Sequence, residues 1–259
     1  MSESLERTMA ILAAAVAMTT GTTSGVAAEK ALPIGVKVGA DAVSQYVWRG
    51  QLLTDDPVFQ PGATVSYKGL SLNAWGSFDM TDIHETSGQA WHLQEVDYTL
   101  AYAYSPIAGL DLQAGAIVYT FPGTAFDSTS ELFASATLSK VLLAPTLAVY
   151  RDIDEADSWY GNVGISHTFA LTEKLGLALG ANVGLGDSDY HGFYFGEPRN
   201  GLSDLLLSSS LNYALNEHVT LSLYLKFSDM IGSTLRSSAR TTYGDADMVF
   251  GGVNATVAF

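Results

Sequence analysis

The last twelve residues, Met248–Phe259, read MVFGGVNATVAF and end the chain on an aromatic side chain. Successive side chains of an extended chain point to opposite faces, so Val249, Val253 and Val257 lie on the same side as Phe259. The opposite side carries smaller and more polar groups: Phe250, Gly252, Asn254, Thr256 and Ala258. An apolar face backed by a small and polar one, with a C-terminal Phe, is typical of the closing strand of a transmembrane β-barrel.

The same period-two alternation recurs along most of the chain. It predicts strands at 34–48, 58–67, 70–79, 91–104, 109–121, 129–139, 144–152, 157–169, 174–185, 202–214, 218–228 and 248–259. The chain is 47% hydrophobic, yet after the N-terminus no apolar run approaches the roughly 18 to 20 residues that a spanning helix needs. We therefore predict an all-β fold, a closed antiparallel transmembrane β-barrel of about twelve strands.

The predicted connections alternate in length. The short ones are 68–69, 105–108, 140–143, 170–173 and 215–217, and the long ones are 49–57, 80–90, 122–128, 186–201 and 229–247. The connection 153–156, which falls on the long side, is the one modest exception. Outer-membrane barrels have short periplasmic turns and long outer loops, so both chain ends are predicted on the periplasmic side. A soluble β-sandwich, the alternative, has no reason to sort its loops in this way.

The N-terminus indicates export. Met9–Met18, MAILAAAVAM, is a short apolar core, and Val26-Ala27-Ala28 is a small-residue cleavage pattern. We predict a signal peptide at 1–28 and the barrel at 29–259, in the outer membrane of a Gram-negative-type bacterium. The alternative, an N-terminal membrane anchor, needs a longer apolar core. The chain has no cysteine, so closure must come from the sheet and not from disulfides.

Several short motifs resemble one family of exported barrels. They are SQYVWRG at 44–50, PVFQ at 57–60, SYKGLSLNAWGSFD at 66–79, AIVYTFPG at 116–123 and SELFASATLS at 130–139. These stretches resemble the TorF-like porin family, in which the opening strand ends in Ser-Asp-Tyr-aromatic-Arg-Gly. Gln45 replaces that Asp here, and Phe121 stands where the family has Tyr before Pro-Gly. The resemblance implies a porin-like role and names no substrate.

Charge indicates what a lumen would favour. The chain has 27 acidic and 12 basic residues, and residues 1–28 contain two of the acidic and one of the basic residues. The mature chain therefore has 25 acidic and 11 basic residues, a net charge of −14. Alternation places several charged side chains inward. We predict these pore-lining residues: Asp41, Arg49, Asp79, Glu95, Asp97, Asp111 and Lys226. Such a lumen favours cations mildly; in a narrow barrel, the same groups would instead pair with each other in a plugged interior.

Arg49 and Gly50 end the predicted first strand. By alternation from Val47, Arg49 points inward, where its guanidinium can pair with rim carboxylates and hold a loop over the mouth. Gly50 permits the chain to turn there. The alternative is that Arg49 selects permeants directly.

The outer loops are acidic, with clusters at 152–157, 187–189 and 245–247. None has the ligand pattern and central Gly of a calcium hand, so we interpret them as surface charge, bridged through divalent ions to lipopolysaccharide. The sequence predicts no cofactor and no metal site. An acidic chain without a basic patch is not expected to bind nucleic acid.

An enzyme is the first alternative function. No His is followed two residues later by Ser, the pair of outer-membrane phospholipases. The Asp-x-His spacing of omptin-like proteases occurs at Asp189-Tyr190-His191 and Asp82-Ile83-His84, with Asp55-Asp56 as a partner. Acidic loops produce such spacings by chance, so we predict no catalysis.

The sequence thus favours a porin-like channel for passive diffusion of small polar solutes, with a preference for cations. A mouth hydrolase and a non-conducting structural or adhesion barrel are the alternatives. Its expected partners are outer-membrane lipid, lipopolysaccharide, small solutes and the barrel-insertion machinery, for which Phe259 is the predicted assembly signal. The oligomeric state stays open.

Overall fold

A computed structural model describes residues 34–81 and 90–259; the predicted signal peptide lies outside them. Twelve strands form the wall: β1 (Gly35–Val43), β4 (Val58–Tyr67), β5 (Leu70–Asp79), β6 (His92–Ile107), β7 (Leu110–Thr120), β8 (Thr129–Thr137), β9 (Thr146–Asp152), β10 (Trp159–Ala170), β11 (Leu175–Gly186), β12 (Gly201–Ala214), β13 (Val219–Met230) and β14 (Asp247–Ala258). They follow the predicted strands closely.

The wall is a closed antiparallel barrel, which confirms the predicted fold class. Each strand pairs with its neighbour in sequence, and β1 closes the sheet by pairing with both β14 and β4. In the closing pair Lys37 lies opposite Ala258, and Val43 lies opposite Gly252. Closure leaves no unpaired sheet edge along these strands.

The alternation of β14 has the predicted sense. Val249 and Val253 point outward and are 63% and 54% exposed, whereas Met248 and Phe250 point inward and are buried. The same holds around the barrel, where outward positions carry exposed large apolar side chains. This is the surface expected of a wall that faces lipid.

The two ends of the barrel differ. At the turn end, which carries the start of β1 and the end of β14, strands are joined by connections such as Lys68-Gly69, a two-residue hairpin turn with φ of 49° and 87°. Positive φ at both positions is the type I′ turn, whose twist matches that of paired strands. At the loop end lie the remaining connections, which include 187–200 and 231–246. We call the adjoining parts of the lumen the turn half and the loop half.

The prediction of one strand over 34–48 is wrong in its second part. β1 ends at Val43, and the chain then forms a hairpin from β2 (Tyr46–Trp48) and β3 (Gln51–Thr54), which pair with each other and not with the wall. Arg49 and Gly50 have φ of 46° and 81°, again a type I′ turn. The hairpin side chains are largely buried, so apolar burial draws this segment inside the barrel.

Two connections predicted as loops contain helices. In α1 (Ser188–Phe195), the side chain of Asp187 accepts a hydrogen bond from the backbone N–H of Tyr190, and Gly196 ends the helix in the left-handed conformation. Both are usual capping devices. α2 (Ser233–Tyr243) buries Leu235 and Ala239, one turn apart. No helix in 34–81 or 90–259 is long and apolar enough to cross a membrane.

The hydrophobic core lies inside the loop half. The largest cluster joins the hairpin, both helices and the inward faces of the wall: Val43, Tyr46, Trp48, Leu52, Val58, Ala156, Tyr160, Tyr190, Tyr194, Phe195, Met230, Leu235, Ala239, Ala246, Met248 and Phe250. A second cluster on β6, β7 and β8 contains Ile117, Tyr119 and Phe133. Together they fill the lumen at this level, since many of these side chains have almost no exposure to solvent.

Candidate functional site: the hairpin inside the barrel

The hairpin is fixed by contacts with both helices and with the wall. Trp48 packs edge-on against Tyr194 of α1 with ring centroids 5.5 Å apart. The side-chain amide of Gln51 donates to the hydroxyl of Tyr190 at 3.4 Å. A Cβ atom on Gly50 would overlap the sulfur of Met230 on β13 and lie 3.0 Å from the Cβ atom of Asp204 on β12. A larger residue in this turn therefore requires neighbouring wall side chains to shift.

Arg49 crosses the lumen to the opposite wall. The hairpin that carries Arg49 follows β1, which lies five strands around the barrel from β8 and six from β9. The guanidinium donates to both carboxylate oxygens of Glu131 on β8, at 2.7 and 2.8 Å. Its carbon atom also lies 4.5 Å and 4.2 Å from the ring centroids of Tyr150 and Tyr160, and 4.3 Å from that of Trp48. A bidentate ion pair with cation–π contacts holds the hairpin down.

Other wall residues position the groups that Arg49 contacts. Tyr119 donates its hydroxyl hydrogen to Glu131 at 2.8 Å, and Tyr160 donates to Asp204 at 3.1 Å. Tyr150 stacks on Phe133 with centroids 6.0 Å apart. These contacts join wall strands to each other, so the hairpin is not needed to make them.

A second contact joins the hairpin to β6. The hydroxyl of Tyr46 donates to Glu95 at 2.9 Å, and its ring contacts Trp75 at a centroid distance of 5.8 Å. Glu95 and Asp97 occupy successive inward positions and are 1% and 0% exposed. Burial of carboxylates so close together is costly unless each is hydrogen-bonded, paired or protonated.

Acidic groups dominate the inward positions of the loop half. Six buried carboxylates lie on inward strand positions: Asp79, Glu95, Asp97, Glu131, Asp152 and Asp204. Within 34–81 and 90–259, Arg49 is the basic side chain that forms an ion pair with a member of this set. Lys226 lies where the loop half meets the turn half, over the rings of Tyr224 and Phe250. The closed half is therefore far more acidic than basic.

The turn half is polar and accessible. Hydrogen bonds connect inward side chains between strands and along them: Asn254 on β14 donates to Asp41 on β1 at 2.8 Å, and Thr256 donates to Asn254 on the same strand at 2.8 Å. On the adjoining strands Ser222 and Ser210 both donate to Asn212, at 2.8 and 3.0 Å. A lining of hydroxyls and amides suits a water-filled space.

The structure divides the predicted pore-lining residues into two groups. Asp79, Glu95 and Asp97 lie in the closed loop half with Arg49. Asp41 lines the turn half and Lys226 lies at the boundary. Asp111 is exposed near the turn end, where Ser105 donates to it at 2.6 Å. The seven residues therefore do not form one continuous lining.

Sequence reasoning missed the partners of Arg49. Glu131 lies in the SELFASATLS motif on the inward alternation of β8, and Tyr119 lies in AIVYTFPG on that of β7. An inward charge opposite an inward Arg was a detectable signal. Tyr150, Tyr160 and Asp204 carried no such signal, because their role depends on how far the hairpin reaches.

The Asp-x-His spacing does not form an open mouth site at Asp189-Tyr190-His191. His191 is buried, and its Nδ1 lies 2.7 Å from the carbonyl oxygen of Arg199, whereas Asp189 is exposed. Burial of His191 lowers its pKa, and Asp187 is the carboxylate that opposes this shift. Residues 82–84 lie outside the described part. Within that part, no three His, Cys, Asp or Glu side chains are grouped to hold a metal ion.

Phe259 is paired at the closing seam. Its backbone N–H donates to the carbonyl of Val36 at 2.8 Å and its carbonyl accepts from Val36 at 3.2 Å. Its ring stacks on His218 with centroids 5.5 Å apart. The terminal aromatic thus completes the last wall strand at the turn end.

Searches against protein-family profiles and curated proteins find no match, so the TorF-like resemblance is not confirmed. The fold does match solved structures. A KdgM porin aligns with TM-score 0.54 and 10% identity, over 86% of this chain and 99% of its own. A KdgM porin in complex with disordered oligogalacturonate aligns with TM-score 0.53 and 7% identity, over 87% and 99%. At these identities the likeness shows the fold, a closed barrel of the kind found in outer-membrane porins.

Proposed function

We propose that this chain is a non-enzymatic, porin-like channel of a Gram-negative-type outer membrane, with the loop end outside. It carries small polar solutes and favours cations. The observation that supports this most is the nature of the obstruction. The hairpin and the two helices that close the loop half all belong to connections, and the other half is polar and accessible. Displacement of these connections therefore opens a path.

The cation preference follows from the charge that leaves the lumen when the hairpin moves out. Arg49 belongs to the hairpin, whereas Glu95, Asp97 and Glu131 belong to the wall. Movement of the hairpin into solvent removes the base and leaves the acids lining the path. Rings of carboxylates favour cations in pores. An anionic oligosaccharide such as the one named for the KdgM complex does not suit this lumen.

The membrane itself supplies the other proposed partners. Exposed outer-loop carboxylates such as Asp154 and Glu155 suit divalent bridges to lipopolysaccharide. Phe259, which completes the seam strand, suits recognition by the insertion machinery. Deletion of Phe259 should lower outer-membrane yield more than deletion of an exposed loop residue such as Gly244.

Single-channel recording in planar bilayers tests the function. We expect long closed periods, brief openings and, in a salt gradient, a reversal potential of cation sign. Glu95→Gln with Asp97→Asn should move that potential toward zero. Asp111→Asn, an exposed control, should move it less. The shift should shrink between 0.1 M and 1 M salt, because the Debye length falls from about 10 Å to about 3 Å. An unchanged potential in the double variant contradicts the cation preference.

A non-conducting structural barrel is the second candidate. It is favoured by the completeness of burial in the loop half, where Gln51 and Asp97 are 0% exposed. Absence of conductance in both the wild type and an Arg49→Ala variant would support it and would exclude the channel.

A further inference from the structure

We propose that the wall pocket occupied by Arg49 is a binding site for a guanidinium-bearing solute, and that Arg49 is its built-in competitor. The pocket consists of Glu131, Tyr119, Tyr150 and Tyr160. The proposed site rests on the proposed channel function, because the channel provides the route by which a solute reaches the pocket. The side chain that occupies the pocket indicates which kind of ligand the pocket binds.

The pocket matches the shape of a guanidinium. Glu131 presents both carboxylate oxygens to two separate nitrogen atoms of Arg49, at 2.7 and 2.8 Å. The ring faces of Tyr150 and Tyr160 lie within 4.5 Å of the guanidinium carbon. A planar fork of N–H donors that also stacks on aromatic faces is a property of guanidinium and not of ammonium.

The pocket is built without the hairpin. The hydroxyl of Tyr119 orients Glu131, Asp204 holds the hydroxyl of Tyr160, and Phe133 supports the ring of Tyr150. All six residues belong to wall strands β7, β8, β9, β10 and β12. Trp48 is the contact that leaves with the hairpin. A pocket preorganised in this way binds without first ordering its own groups.

The empty pocket would carry uncompensated charge. Glu131 is buried, and its counter-ion is Arg49, whose side chain is 9% exposed. Departure of Arg49 leaves Glu131, whose charge also acts on Asp97, without its counter-ion. A buried carboxylate without its partner is strongly unfavourable, so a solute cation that enters this space replaces the lost interaction. The solute and the hairpin therefore compete for one site.

Chemical rescue tests the pocket directly. In Arg49→Ala, ethylguanidinium should raise the thermal unfolding midpoint of the detergent-solubilised barrel with saturation in the millimolar range. Tetramethylammonium, which has no N–H donor, should need about tenfold higher concentration, and equal sodium chloride should have no saturable effect. Arg240→Ala is the matched control: Arg240 also pairs with a carboxylate, Asp247, at 3.0 Å, but on the exposed face of α2. It should show no rescue.

A second variant guards against misfolding of the first. Arg49→Gln keeps a polar side chain but ends before the guanidinium position, so the pocket stays vacant. Glu131→Gln in either background should abolish the ethylguanidinium effect. No saturable rise in either Arg49 variant, or an equal rise in Arg240→Ala, would overturn the proposal. The melting readout needs no conduction. Rescue in a protein that never conducts would contradict the channel and leave the pocket intact.

Discussion

The loop half and the turn half of the lumen are built from the same twelve strands with the same alternation. The inward side chains of the loop half are buried, whereas those of the turn half are accessible to solvent. On β14, Phe250 and Asn254 both point inward, but Phe250 is 5% exposed and buried in the core, whereas Asn254 bonds to Asp41 in the open half. Alternation decides which side a residue faces. The hairpin and the helices, which belong to the connections between wall strands, decide whether that side is exposed to water.

The two type I′ turns make the same point locally. Lys68-Gly69 and Arg49-Gly50 have nearly the same φ values, 49° and 87° against 46° and 81°. Lys68 is exposed between two wall strands, whereas Arg49 is enclosed by aromatic rings. The turn geometry is equal, so the flanking residues make the difference. The apolar side chains of Tyr46, Trp48 and Leu52 draw their hairpin into the core.

The largest expected effect comes from Arg49→Ala, which should make the loop half resemble the turn half. Removing one partner of a buried ion pair costs about 3–5 kcal/mol. In this protein the loss lowers the free energy with which the hairpin binds the wall. We expect a sharply higher open probability in planar bilayers and a lower unfolding midpoint.

Arg240→Ala, the exposed Arg–carboxylate control, should change neither quantity appreciably. Adding Glu131→Gln to Arg49→Ala should recover part of the lost stability, because it removes the unpaired buried charge. An Arg49→Ala variant as closed and as stable as the wild type would show that the ion pair does not hold the hairpin.

Much of this barrel follows from its sequence because strand alternation is a local signal. The twelve wall strands are recognisable from residues such as Val249 and Val253, whose outward position needs no knowledge of distant parts. The inward hairpin is not recognisable in this way, since Tyr46 and Trp48 continue the alternation of β1. Only their distant partners, Trp75 and Tyr194, distinguish core from wall.

The helix α1 had a readable signal that the loop interpretation overlooked. Asp187 and Gly196 stand at its ends as N-cap and C-cap, the start and stop signs of a short helix. The packing of α1 against Trp48 has no such local sequence signal, because it depends on the barrel diameter together with the loop lengths. The same is true of the reach of Arg49 to Glu131.

A smaller effect is expected from Gly50→Ala, compared with Gly196→Ala. Both residues have positive φ, 81° and 68°, and a Cβ-bearing residue in the left-handed region costs about 1–2 kcal/mol. At Gly50 the new methyl also overlaps the sulfur of Met230, whereas nothing lies within 4 Å at Gly196. Overpacking should add about 1–3 kcal/mol at Gly50 alone, measured by thermal unfolding. Equal losses would mean that the turn is not packed against the wall.

The smallest effect concerns pH and the helix above the hairpin. Burial lowers the pKa of His191, with Asp187, Arg199 and Tyr190 around it. At His191 the unfolded chain therefore binds a proton more readily than the native one. The contribution of His191 to stability thus falls as pH drops below the ordinary value of about 6.5 and is constant above it. His191→Gln should remove this part of the dependence in unfolding curves. His218→Gln, at the exposed turn end, should leave it; the reverse result would place the acid-sensitive group elsewhere.

The division of the lumen is tested most directly by thiol labelling, since the chain has no cysteine of its own. Ser77→Cys lies in the loop half, where Ser77 is 0% exposed, and Ser222→Cys lies in the turn half, where Ser222 is partly exposed. With a water-soluble maleimide on the reconstituted barrel, Ser222→Cys should react readily and Ser77→Cys very slowly. Arg49→Ala should accelerate labelling at Ser77→Cys and leave the rate at Ser222→Cys unchanged. Equal rates at the two positions in the otherwise wild-type chain would contradict a lumen closed by its own hairpin.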